Sequence, residues 1–281
     1  MSYVDRYPVQ PEEMNVQHYP ATNNTIGNDA PPRLFVLIHG FLSSAYSFQA
    51  LIPELCFYGE VVTFDLPGFG KSKKTLQYRY SYAQYALTVN AIIKPYVTEK
   101  TEVIPVGHSM GGQIALRLPK IMLRPPKKIV LLASSGSIAR LPFWLRTTTY
   151  FPFFSTLLRR YIRKHDVRNI LHEVIYDSSI ITDGHVSAYE EPLREKAMYQ
   201  ALAKFIRHRE GDLTTAELAD IHVPVLLLWG EADSIVPLKV GEKLVSALPC
   251  ATLSVYPKTG HLLPEEMPKE TAKAIRSFTE A

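Results

Sequence analysis

Short apolar runs recur along the chain with polar, turn-forming stretches between them. Residues 34–38, 61–64, 128–133 and 225–229 are nearly continuous in Val, Ile, Leu and Phe, and 103–106 form a similar run that stops at Gly107. Unbroken apolar runs of this length fit strands covered on both faces, as in a parallel sheet flanked by helices. Residues 252–256 predict a last strand, and Met14 to Tyr19 alternates like a strand on an outer edge. Between the runs lie segments with helical spacing. Tyr82, Tyr85, Ala86, Val89, Ile92, Ile93 and Tyr96 predict a helix over 82–97 capped by Ser81. Further helices are expected from Met110 to about residue 123, ended by Pro125-Pro126, and over 237–247 and 267–279. Residues 23–32 carry turn chemistry. Strands alternating with helices imply an α/β fold with a mainly parallel sheet and right-handed crossovers.

The alternation breaks once. From Ser134 to about Thr214 no strand pattern appears, only helical segments such as 157–162 and 194–207. The expected organisation is a core in two parts, 1–134 and 215–281, interrupted by a mostly helical insertion over 135–214. A chain of 281 residues fits one α/β domain with such an insertion.

The richest chemistry lies at the end of the 103–106 run. Gly107-His108-Ser109-Met110-Gly111 fits G-x-S-x-G between a strand and a helix. A serine at the tip of so sharp a turn projects its hydroxyl from the sheet, and the glycines remove Cβ atoms that would clash. The N–H of Met110, at the helix start, then points at a developing oxyanion. The run over 34–38 ends in His39-Gly40-Phe41, where the Phe41 N–H is a candidate second donor. A nucleophilic serine needs a base, and the base needs an orienting group. Asp233 follows the run at 225–229 and His261 follows the strand at 252–256. Both places are C-terminal ends of strands, where ligands gather in open α/β sheets. Ser109, Asp233 and His261 stand in the serine–acid–histidine order, with Glu231 as a rival acid on the same loop.

Other readings are weaker. Asp65-Leu66-Pro67-Gly68-Phe69-Gly70-Lys71-Ser72 nearly matches a phosphate-binding loop, but that motif needs glycine where Asp65 stands. A rigid turn shaped by Pro67 and the two glycines is expected instead. A net charge of +4, without basic patches interleaved with stacking aromatics, does not point to nucleic acid. The remaining histidines lack two-ligand spacing for zinc, so neither metal nor cofactor is expected. His39 and His108 are read as residues that hold loops together. Cys56 and Cys250 sit in apolar sequence and are expected as buried thiols, which fits a reducing cytoplasm. Neither a signal-peptide pattern nor a stretch long enough to span a membrane is seen.

Taken together, His39-Gly40-Phe41, the Asp65 to Ser72 turn, Gly107 to Gly112, Gly230-Glu231-Ala232-Asp233 with Val236-Pro237, and Gly260-His261 resemble the α/β-hydrolase superfamily. Within it the chain resembles capped serine hydrolases of the Bacillus-type carboxylesterase kind. The resemblance covers nearly the whole chain outside the insertion, which falls where the family carries its cap. It implies Ser109 as nucleophile, His261 as base and acid, Asp233 rather than Glu231 as the orienting acid, and Phe41 and Met110 as oxyanion donors. The implied activity is cleavage of a small-molecule carboxylic ester through an acyl-enzyme. The serine sets aside the dehalogenase and epoxide hydrolase types, whose nucleophile is aspartate. C–C bond hydrolases, which often carry Asn where this chain has His108, share the motifs, as do thioesterases, lactonases, perhydrolases and a menaquinone-pathway lyase. So do ligand-binding members without catalysis.

Within the insertion, Phe143, Trp144 and Phe151, with Phe153 and Phe154, are candidates for an apolar substrate pocket. The plainer reading makes them the insertion's own core. Arg159, Arg160, Arg163, Lys164 and Arg168, opposed only by Asp166, suit either an anionic partner or a solvated helix face.

Overall fold

The computed structural model describes residues 13–22 and 31–281. Most of the turn expected over 23–32 lies outside the described residues. Seven strands form one sheet: β1 (Val16–Tyr19), β2 (Arg33–Ile38), β3 (Glu60–Phe64), β4 (Glu102–His108), β5 (Ile129–Leu132), β6 (Val225–Gly230) and β7 (Ala251–Tyr256). Their order is β1-β3-β2-β4-β5-β6-β7, and only β1 runs antiparallel to its neighbour. The central strands are buried along almost their whole length, which explains their unbroken apolar sequence. The edge strands β1 and β7 are part-exposed and accordingly mix polar with apolar residues.

The helices are α1 (Ile52–Cys56), α2 (Tyr82–Ile93), α3 (Met110–Ala115), α4 (Phe143–Thr148), α5 (Phe154–Ile162), α6 (Val167–Val174), α7 (Asp183–Glu190), α8 (Lys196–His208), α9 (Thr215–Ala219), α10 (Leu238–Ala247), α11 (Leu263–Glu266) and α12 (Pro268–Glu280). The Ser81 hydroxyl caps α2, accepting from the Gln84 N–H at 3.3 Å. Two helices are shorter than their spacing suggests. Pro95 lacks an N–H and turns the end of α2 into a 3₁₀ turn at Lys94–Tyr96. Pro119 does the same after α3, which stops at Ala115 rather than near 123, so Pro125-Pro126 is not its terminator.

Six helices, α4 to α9, lie between β5 and β6, and the first five fall within residues 135–214. The two ends of this insertion run side by side and are locked by polar contacts. Asp212 accepts from the Ile138 N–H at 2.8 Å, Arg209 donates to the Ala139 carbonyl at 3.0 Å, and Arg117 donates to the Gly211 carbonyl at 3.0 Å. Helix α8 buries Met198, Tyr199, Leu202 and Phe205 in the main core. Helices α6 and α7 build a second, small core from Val167, Leu171, Ile175, Ile181 and Val186, and Leu262 enters it from the other side of the chain. Among the described residues no helix is long and apolar enough to cross a membrane. Cys56 is buried, but Cys250 is exposed at the turn into the edge strand β7, contrary to expectation.

The strand order reverses between β2 and β4, because β3 goes to one side of β2 and β4 to the other. Ile38 is in register with Gly107 there. The segments leaving the C-terminal ends of β2 and β4 therefore flank one crevice, the usual ligand position in such sheets.

Candidate active site

Ser109 stands between β4 and α3, at that crevice. Its backbone has φ 51° and ψ −118°, a left-handed conformation that costs a side-chain-bearing residue about 1–3 kcal/mol. Packing pins it. The Ser109 N–H donates to the Leu132 carbonyl at 2.9 Å, and its own carbonyl accepts from Gly112 at 3.1 Å and Ser135 at 3.2 Å. Glycine is required on either side. A Cβ at Gly111 would lie 2.0 Å from the Ile38 carbonyl oxygen, and one at Gly107 would lie 2.4 Å from that of Gly111.

Two N–H groups flank the serine. Met110 opens α3, so its N–H has no acceptor within the helix. The Phe41 N–H has no acceptor among the described residues. Gly40 brings that chain close: a Cβ on it would stand 3.1 Å from the Ser109 Cβ.

Asp233 and His261 form a buried pair. The His261 Nδ1–H donates to Asp233 Oδ2 at 2.8 Å, and the Asp233 side chain is fully enclosed. Its other oxygen accepts from the N–H groups of Ile235 at 2.9 Å and Val236 at 2.8 Å. Glu231 is exposed. With Nδ1 bound to Asp233, Nε2 of His261 is free to exchange a proton. The bond from Ser109 Oγ to His261 is not closed in this structure; such bonds often tighten only when substrate is bound.

Three loops are tied down around the pair. His108 Nε2–H donates to the His261 carbonyl at 2.9 Å. Burial, reinforced by nearby His261, pushes the His108 pKa down to about 3, so this ring is neutral. His39 bridges the Gly40 carbonyl at 2.8 Å and the Leu66 N–H at 2.9 Å, and burial lowers its pKa too. The Asp65 carboxylate, in the segment that resembles a phosphate loop, accepts from the N–H groups of Ala45 and Lys71, both at 2.7 Å, and from Asn15 Nδ2 at 2.9 Å. It fills the turn with its own negative charge, leaving nothing there to cradle a phosphate.

The insertion grips the His261 loop directly. The His261 N–H donates to the Val174 carbonyl at 2.8 Å. The Glu266 carboxylate gathers the N–H groups of Gly260 at 3.1 Å, Leu262 at 3.2 Å and Tyr176 at 2.8 Å. Nothing in the local sequence marks Glu266 or Val174 for this role. Phe205 is also unmarked by its sequence, and Phe69 is marked only as part of the Asp65 to Ser72 turn: the Phe41 ring stacks on Phe205 at 5.6 Å and meets the edge of Phe69 at 6.0 Å. They give the Phe41 side of the crevice an aromatic wall. Phe143, Trp144 and Phe151 lie elsewhere, exposed on and between α4 and α5. A cavity of about 330 Å³, with Asn15, Tyr46, Asp65, Lys71, Glu191 and Glu195 in its wall, includes neither Ser109 nor His261. Among the described residues no three His, Cys, Asp or Glu side chains converge as a metal site.

A strained serine at the switch point, two N–H groups without acceptors among the described residues and a buried acid–histidine pair are groups suited to hydrolysis. The model of the alpha/beta hydrolase family matches residues 35–274, and the chain belongs to that family. It is 36% identical over 281 residues to the uncharacterized hydrolase YugF of Bacillus subtilis, covering 99% of this chain and 98% of that protein. It is 26% identical over 248 residues to the 2-hydroxy-6-oxo-6-(2'-aminophenyl)hexa-2,4-dienoic acid hydrolase of Metapseudomonas resinovorans, covering 86% and 82%. The fold is shared with an esterase from Exiguobacterium antarcticum, at TM-score 0.74 and 17% identity over 95% of this chain and 96% of that one.

Proposed function

We propose that this hydrolase cleaves carboxylic esters of small molecules through an acyl-enzyme, with Ser109 as nucleophile. Ser109 Oγ attacks the carbonyl carbon and its proton passes to His261 Nε2. The N–H groups of Phe41 and Met110 hold the oxyanion that forms. Collapse breaks the ester C–O bond, and His261 returns the proton to the leaving alcohol. Water then attacks the acyl group, with His261 again as base, and releases the acid and the serine. Asp233 keeps Nδ1 protonated and stabilises the imidazolium. The observation that carries this reading is the enclosed Asp233–His261 bond beside a serine held at positive φ.

On this reading residues 135–214 are a cap, the Phe41–Phe205 wall favours an apolar group on the substrate, and no cofactor takes part. Two unpaired thiols suit a cytoplasmic enzyme. The relative named for a dienoic acid keeps C–C bond hydrolysis as the second reading. The test is labelling with a fluorophosphonate and mass spectrometry of the labelled peptide, followed by a p-nitrophenyl ester series. The expected result is a label on Ser109 and turnover of esters. Turnover of a 2-hydroxy-6-oxo-dienoate with no ester cleavage would move the assignment to C–C hydrolysis. A folded protein that takes no label would overturn the serine.

A further inference from the structure

Among the described residues, a run of large side chains on the insertion is left mostly uncovered. Phe143 is 73% exposed, Trp144 65%, Phe151 70% and Phe153 74%, and Tyr150, Leu157 and Tyr161 are about as open. All seven fall within α4, α5 and the turn between them, and both helices pack on α8. On α5 the exposure follows a stripe. Phe153, Leu157 and Tyr161 are spaced by four, whereas Leu158 and Ile162 turn inward and are partly buried. Arg160 and Lys164, three residues beyond Leu157 and Tyr161, share the outward stripe and are exposed. The stretch from Ser134 to His165 contains no Asp or Glu and carries Arg140, Arg146, Arg159, Arg160, Arg163 and Lys164.

Soluble surfaces seldom leave this many adjacent aromatic side chains uncovered. Aromatic rings next to arginine and lysine, with no acid among them, have the chemistry of a membrane–water boundary: rings at headgroup depth, cations at lipid phosphates. We propose that α4 and α5 dock the protein on an anionic lipid bilayer. Phe143, Trp144, Phe151, Phe153 and Leu157 enter the headgroup–acyl boundary, and Arg160 and Lys164 meet the phosphates. A protein partner fits less well, because the matching surface would have to be both apolar and strongly acidic.

The protein carries its own reporter. It has two tryptophans, of which Trp229 is fully buried and Trp144 is on the proposed face. The full chain is mixed with vesicles of phosphatidylcholine alone and of phosphatidylcholine with phosphatidylglycerol. It should sediment with the anionic vesicles only, and Trp144 emission should shift to the blue on binding. Added salt should weaken binding. Arg160→Glu with Lys164→Glu should weaken it about tenfold or more. Phe151→Ser with Phe153→Ser should abolish the blue shift without changing the circular dichroism spectrum. No sedimentation with anionic vesicles, or binding untouched by both double variants, would overturn the proposal. So would a dimer in lipid-free sedimentation velocity that the Phe151→Ser, Phe153→Ser variant dissolves, since a second copy would then cover the face.

Discussion

His108, the residue before Ser109, donates its Nε2–H to the main-chain carbonyl of His261 over 2.9 Å, and the two rings lie 4.8 Å apart. The turn that presents the serine therefore also positions the histidine, across 153 residues of chain. His108→Ala should leave a buried carbonyl without a donor. The expected cost is about 1–3 kcal/mol in urea unfolding, with a fall in kcat larger than any change in KM. Unchanged kcat would mean that the bond serves stability alone.

The enclosed carboxylate at 233 and the exposed one at 231 separate cleanly by mutation. Asp233→Asn should lower kcat by up to about ten-thousandfold, because the amide no longer holds Nδ1 protonated. Glu231→Gln should stay within about twofold of the parent by the same measure. Greater damage from Glu231→Gln on ester turnover would reverse the assignment.

Buried neutral histidines make the fold acid-sensitive. His39 and His108 are both held below the ordinary histidine value of 6.5, His108 at about 3. From 6.5 downward the unfolded chain binds more protons at these positions than the folded one. Stability should therefore fall with falling pH, by about 1.4 kcal/mol per unit for each histidine still neutral in the fold. The loss from His108 should level off near pH 3. Thermal melts between about pH 7 and about pH 4 should show this, and His108→Gln should flatten the slope relative to the parent.

Gly111→Ala tests the close approach of α3 to β2. Its Cβ would sit 2.0 Å from the Ile38 carbonyl oxygen, so the elbow must shift. A stability loss of about 1–3 kcal/mol or more is expected by urea unfolding, together with loss of fluorophosphonate labelling. A variant as stable as the parent would show that the elbow has slack.

Much of the fold was legible because the central strands are buried on both faces and their apolar runs have little competing explanation. The elbow was legible for a different reason: its chemistry is local, packed into Gly107 to Gly112. Spacing overruns the helix ends where one proline, Pro95 or Pro119, outweighs a long run of favourable positions. The aromatics at 143–153 show the deeper limit. Sequence suggests a site or a core for them, while the structure leaves them at the surface and sets Phe69 and Phe205 beside Phe41. Which ring meets which loop depends on where α8 packs into the main core, and no local pattern carries that. The hold of Val174 and Glu266 on the His261 loop was hidden likewise, since a backbone carbonyl leaves no mark in sequence.

Leu262 is the neighbour of His261, yet it is buried in the small core of α6 and α7. The packing of α6 and α7 and the placement of the His261 loop are thus joined through one side chain and the Val174 carbonyl. A substitution that loosens this small core should therefore be felt at His261, even though it touches neither the serine nor the acid.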